Sequence, residues 1–175
     1  PIVHTVTDLG ANIAEIQMYD QEDAHVFSML TRVEIPEERY EEVRDAMAGV
    51  ASETGLAIRT WTPEIRGRKP RLAICVTHRH ETPVAVLRAI RDGHIPAEAT
   101  VMSSNRKACR RLADEFGVPW RQIGDDSGAP DDSELINICD EFDVDYVVLA
   151  RYMRVLPPAS CWQYAGGRII TLHPG

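Results

Sequence analysis

Apolar residues in the second half of the chain come in short solid runs. Residues 71–77 (RLAICVT), 98–103 (EATVMS), 146–150 (YVVLA) and 168–172 (RIITL) read as strands buried on both faces, and 120–123 (WRQI) as a shorter one. Between them apolar residues recur at helical spacing: Val84, Leu87 and Ile90; then Ala108, Cys109, Leu112 and Phe116; then Leu135, Ile138, Cys139 and Phe142. Thr82 is positioned to cap the first of these helices with Pro83 at its first position, and Gly93 to end it; Asn105 opens the second and Ser133 caps the third. Pro157 and Pro158 suit the start of a short helix that Gly166 and Gly167 close. This alternation of strand and helix predicts a doubly wound, mostly parallel Rossmann-like sheet with right-handed crossovers.

The first half is patterned differently. Residues 1–9 form a short helical start, and Gly10 suits its left-handed end. A strand is expected over 12–18 with Ile13 and Ile16 buried, although its alternation is imperfect. The acids Asp20, Glu22 and Asp23 mark a turn. Residues 25–35 alternate clearly, with Phe27, Met29, Val33 and Ile35 on one face. Pro36 begins a helix in which Tyr40, Val43, Met47 and Val50 form one stripe, Gly55 ends it, and 56–62 reads as a further strand. One strand before Pro1 would complete βαββαβ, which predicts that residues are omitted near the start. The charged stretch 64–70 (EIRGRKP) separates the two patterns. The expected division is therefore a domain over 1–64, a linker over 65–70 and a second domain over 71–175.

Composition narrows the classes. A net charge of -8 argues against a general nucleic-acid binder. No apolar run approaches the ~20 residues that span a bilayer, and no signal-peptide pattern stands at the start. Cys75, Cys109, Cys139 and Cys161 lie far apart without a CxxC, which reads as reduced, mostly buried thiols of a cytoplasmic protein.

Candidate chemistry gathers at strand ends. In open α/β sheets ligands bind beyond the carboxyl ends of the strands. His173 follows the last strand, and imidazole titrates near working pH. Arg151 and Arg154 end the 146–150 run, where Arg151 would serve the site or pair with a carboxylate. The 77–81 loop, THRHE, lacks the glycines of a phosphate-cradling nest. His78 and His80 are spaced as a metal pair but have no third ligand nearby in sequence, and no metal site is expected. GxGxxG and GxxxxGK[ST] are both absent. The dense acids between Asp125 and Asp145 read as a solvated surface, a pattern that a high-salt habitat would also produce.

Two segments carry a resemblance to a known family. Leu149-Ala150-Arg151-Tyr152-Met153-Arg154-Val155-Leu156 is similar to the Leu-Ala-Arg/Gly-Tyr/Phe-Met-Arg-Ile-Leu run of folate-dependent formyltransferases. Gly167-Arg168-Ile169-Ile170-Thr171-Leu172-His173-Pro174 is similar to their Gly-Arg-Ile-Ile-Asn-Ile-His-Pro strand and loop. The Leu-Ala-Arg-Tyr-Met wording resembles the formyltetrahydrofolate deformylase branch in particular. Gly10-Ala11-Asn12-Ile13 resembles the Gly-x-Asn-Ile loop of ACT domains, small amino-acid-sensing modules, and an ACT-like βαββαβ half followed by a formyltransferase half is that branch's arrangement.

The resemblance implies a hydrolase acting on a linear amide C–N bond. 10-Formyltetrahydrofolate would yield formate and tetrahydrofolate, with the formate supplying purine synthesis. Folate is then the substrate, and no cofactor is implied. His173 matches the family's catalytic His, while Thr171 stands where the family has Asn. Met153, Arg154, Val155 and Leu156 match the segment whose backbone receives the pterin ring. The family's catalytic Asp and folate loop are expected beyond Gly175. Gly10, Ala11, Asn12 and Ile13 would hold an amino-acid effector, methionine or glycine, in a homo-oligomer. The alternatives are a formyl transferase to an amine acceptor and a non-catalytic ACT-type sensor.

Overall fold

A computed structural model describes residues 1–175 except 22–25, 65–66, 126, 128–130 and 173–175, and the side chains of 21, 26 and 132. The chain forms two compact units, Pro1–Glu64 and Ile65–Gly175.

The first unit runs α1 (Ile2–Asp8), β1 (Asn12–Gln21), β2 (Val26–Glu34), a 3₁₀ turn over Glu37–Arg39 and α2 (Tyr40–Thr54). The turn of acids expected at 20–23 lies largely outside the described residues. β1 and β2 pair antiparallel with an irregularity between Ile13 and Glu15. That bulge explains the imperfect alternation. It sets Ile13 opposite Val33 and Ile16 opposite Thr31, so residues three apart share one face. Val43, Met47 and Val50 of α2 pack with Val6 and Ala11, and Ile2, Leu9, Val33, Ile35 and Ile58 flank them. Two expectations fail here. Ile16 is exposed, as is Phe27, because the two helices cover only the Ile13–Val33 end of the hairpin face. Residues 56–62 join no sheet. Ile58 packs against the α2 core instead, so the βαββαβ order is not completed among the described residues.

The second unit runs β3 (Arg71–Cys75), α3 (Glu81–Arg91), β4 (Glu98–Ser104), a 3₁₀ turn over Lys107–Cys109, α4 (Arg110–Phe116), β5 (Trp120–Gln122), α5 (Asp132–Glu141), β6 (Tyr146–Ala150), α6 (Pro158–Gln163) and β7 (Ile169–Leu172). Its five strands are all parallel, in the order β5-β4-β3-β6-β7. β3 shows why its run was solidly apolar. Ala73 and Cys75 face a core built with Leu135, Cys139 and Tyr164, whereas Leu72, Ile74 and Val76 face Leu87, Met102 and Leu112 on the other side.

Helix starts differ from the sequence expectation. α3 begins after His80, so Thr82 lies within the helix rather than capping it, and Pro83 falls at the third helical position rather than the first, still in the first turn, where its missing N–H costs nothing. α5 is capped by Asp131, whose carboxylate accepts from Ser133 N–H at 3.0 Å and takes the capping role expected of Ser133. Asn105 precedes a 3₁₀ turn, and α4 starts only at Arg110.

Asp145, just before β6, secures the entry to β3. Arg68 donates to it through both terminal nitrogens, at 2.5 and 2.9 Å, and Arg71 N–H at 2.7 Å. Burial works to raise the Asp145 carboxyl pKa, but the Arg68 pair and the Arg71 N–H outweigh it and hold the pKa below its ordinary value. A depressed folded pKa adds stability above the unfolded carboxyl value, about 4, and loses it as pH falls through the folded one. Asp145→Asn should therefore destabilise the protein by about 1–3 kcal/mol at pH 7. In denaturant titrations that difference should shrink below about pH 4. A difference that stays constant from neutral pH to pH 3 would locate the effect elsewhere.

Candidate active site

Three strands of the sheet end in polar residues at their carboxyl edge. Val76 and Thr77 follow β3; β4 ends in the buried Ser103 and Ser104, with buried Asn105 next; Arg151 follows β6. Strand order reverses at the centre, because β4 and β5 lie to one side of β3 and β6 and β7 to the other. Such a switch point leaves a crevice beyond the strand tips, since the connections leaving it diverge.

The 151–156 loop crosses this crevice. Its Met153 N–H donates to the Thr77 hydroxyl at 3.0 Å, linking the tips of β3 and β6. Thr77 is buried, and its carbonyl accepts from Ser104 Oγ at 3.5 Å and Cys109 Sγ at 3.9 Å. Buried hydroxyls need partners, and here that need fixes the loop. Tyr152 and Leu156 turn into the core, while Met153 and Val155 stand out to solvent, 57% and 90% exposed. The loop is thus anchored at both ends with apolar side chains on its open face.

β7 brings Thr171 alongside. Leu149 pairs with Thr171 and Ala150 with Leu172, and Arg151 N–H donates to Leu172 O at 3.2 Å. Arg168, buried before β7, stacks on Tyr164 at 4.5 Å and donates to Gln163 O at 2.7 Å, which ties the strand to α6. Of the residues singled out from sequence, Met153, Arg154, Val155, Leu156 and Thr171 therefore come to two adjacent strand tips. His173 and Pro174 lie outside the described residues. Arg151 has no carboxylate partner among the described residues, although such a pair was one reading of it.

Gly10, Ala11, Asn12 and Ile13 belong to the first unit. Gly10 has φ +71°, and a Cβ there would come within 3.3 Å of Arg39 Nη1, whose guanidinium donates to Leu9 O. Ala11 is buried, Asn12 Nδ2 donates to Glu34 at 2.9 Å, and Ile13 pairs with Val33.

Two other features bear on the chemistry. Burial pushes the Cys109 thiol up to about 11 and Cys75 well above its ordinary value, which leaves them poor nucleophiles at neutral pH. Among the described residues no three His, Cys, Asp or Glu side chains gather as metal ligands. A depression of about 610 Å³, floored by Leu87, Ile90, Phe116 and Val118, opens at the amino-terminal edge of the sheet, away from the strand tips.

Thr77 is the loop-anchoring position to which the sequence reading gave no role. A hydroxyl closing an otherwise apolar strand was the available signal.

Comparison with known proteins fits this architecture. The chain is 28% identical over 172 residues to a formyltetrahydrofolate deformylase of Bacillus subtilis, covering 94% of this chain and 55% of that protein. It is 26% identical over 179 residues to one of a Corynebacterium species, covering 98% of this chain and 62% of that protein. The chain thus spans less than two thirds of these curated relatives. The solved formyltetrahydrofolate deformylase of Burkholderia mallei shares the fold at a TM-score of 0.57 and 21% identity, over 98% of this chain and 60% of that one. Residues 70–175 match the family described as Formyl transferase, and the chain belongs to that family.

Proposed function

We propose that the protein carrying these residues hydrolyses 10-formyltetrahydrofolate to formate and tetrahydrofolate as a cytoplasmic enzyme. The observation that supports this most is the 151–156 loop lying at the reversal point of the sheet, held there by Thr77, with Thr171 on the neighbouring strand tip. In this reading the folate ring lies on the loop. Met153 spends its N–H on Thr77, so backbone recognition of the ring edge falls to residues 154–156. Met153 and Val155 cover the ring face. Water attacks the formyl carbon, His173 moves the protons as general acid and base, and the Thr171 hydroxyl donates towards the oxyanion. The catalytic aspartate of the resemblance would come from outside residues 1–175.

Transfer to a phosphorylated amine acceptor is the second reading. Residues 78–81 bear on it, because none of them has a positive φ and a phosphate nest requires such backbone. That favours water as the acceptor.

The first unit we read as an ACT-like regulatory domain that binds methionine or glycine at residues 10–13 and pairs copies of the chain, with residues 65–70 as the linker.

Experiments on the full-length protein test these readings. His173→Ala should slow single-turnover formate release, with no acceptor added, by ~10²–10⁴-fold while folate binding persists. Thr171→Asn should hold or raise the rate, and Thr171→Val should lower it; an undiminished His173→Ala rate ends the mechanism. Thr77→Val should weaken folate binding and lower stability by about 1–3 kcal/mol, because it strands the Met153 N–H. Limited proteolysis should cut first within residues 65–69, calorimetry should detect methionine or glycine, and light scattering should report an oligomer. No heat with either amino acid removes the sensing role, and a monomer removes the pairing.

A further inference from the structure

Arg151 leaves β6 in a conformation that its side chain disfavours. Its φ is +58°, in the left-handed region that suits glycine. The other non-glycine at positive φ among the described residues is Asp143, at +47°, just past the end of α5, where a short polar side chain is tolerated. Arg151 is long, carries a Cβ and ends a strand. Strain of this kind persists where the surroundings enforce it and concentrates at functional sites. At this point the Arg151 N–H donates to Leu172 O across the tips of β6 and β7.

The side chain is as unusual as the backbone. Arg151 Nε is shut off from solvent and has no hydrogen-bond partner among the described residues. Other basic residues near this edge, His78, Arg79, His80, Arg106, Lys107 and Arg154, are exposed. A half-buried arginine whose Nε–H is shielded and unused, beside strand tips that carry the candidate chemistry, suits a small carboxylate, which guanidinium groups receive through charge-assisted hydrogen bonds.

We infer that Arg151 is an anion-binding residue of the site, receiving the formate carboxylate as it forms and the oxyanion that precedes it. The inference rests on the hydrolysis reading above. In that reaction the water oxygen bonds to the formyl carbon, the C–N bond breaks, and the nitrogen takes up a proton. Formate leaves as an anion and its remaining proton passes to solvent. Negative charge therefore develops on the carbon's oxygens and stays on the product. Arg151 stabilises that charge without exchanging a proton itself.

The test uses full-length protein and sodium formate alone, followed by saturation-transfer NMR, alongside single-turnover formate release. Wild type should bind formate, and Arg151→Met should bind it at least about ten-fold more weakly and release it about 10–10²-fold more slowly. Arg151→Lys should recover part of both. Arg151→Gly should be at least as heat-stable as wild type, because it relieves the backbone, yet lose formate binding like Arg151→Met; this separates ligand binding from a structural role. Equal formate binding in wild type and Arg151→Met, or none in wild type, overturns the assignment. Wild-type formate release judges the hydrolysis reading separately. If wild type releases formate and Arg151→Met matches it in rate and affinity, only Arg151 falls. If formate binds through Arg151 but is never released from folate, only the hydrolysis falls.

Discussion

β3 and β6 pair in parallel at the centre of a sheet covered on both faces, and the rest of the second unit takes its arrangement from that contact. A strand buried on both sides has no solvent face for polar side chains. They are displaced to its ends, which is why Thr77, Ser103, Ser104 and Asn105 cluster at the carboxyl edge. Because the strand order also reverses there, this polar edge borders a crevice rather than a packed surface. The Thr77–Met153 bond, with Tyr152 and Leu156 in the core, then holds the 151–156 loop against this edge.

The sheet was legible because its signal is local. Solid apolar runs bounded by turn residues give strands whatever their partners, and all five appeared near the expected positions. The helix caps were less legible. Asp131, Asp132 and Ser133 are three adjacent capping residues, and the one used depends on where α5 meets the sheet. The strand expected at 56–62 shows a different limit. A strand exists only through its pairing, and residues 56–62 found a helix to pack on instead of a backbone to join. In the hairpin, Ile13 and Ile16 three apart made sense only once the bulge was known.

The candidate site was legible in part. The Met153 to Leu156 segment and Thr171 were found through wording shared with a family, and the fold brings their strands together. Thr77 was missed because its partner stands 76 residues further along, and a hydroxyl closing an apolar run was its only local mark. The left-handed backbone of Arg151 carries no sequence mark, since arginine gives no reason to expect it. Contacts of this kind become visible only when distant strand ends meet.

That same distance orders events during synthesis. β3 can find β4 soon after both emerge, but its other edge waits for β6, and the Thr77–Met153 and Arg71–Asp145 bonds close loops of 76 and 74 residues. Non-local parallel pairing is slow to form. Until residue 150 has left the ribosome, this central strand presents an open row of N–H and C=O groups, a template for association with other chains. The central position that makes β3 the support of the site thus also makes it the nascent chain's most vulnerable edge, and the one with most to gain from chaperone cover.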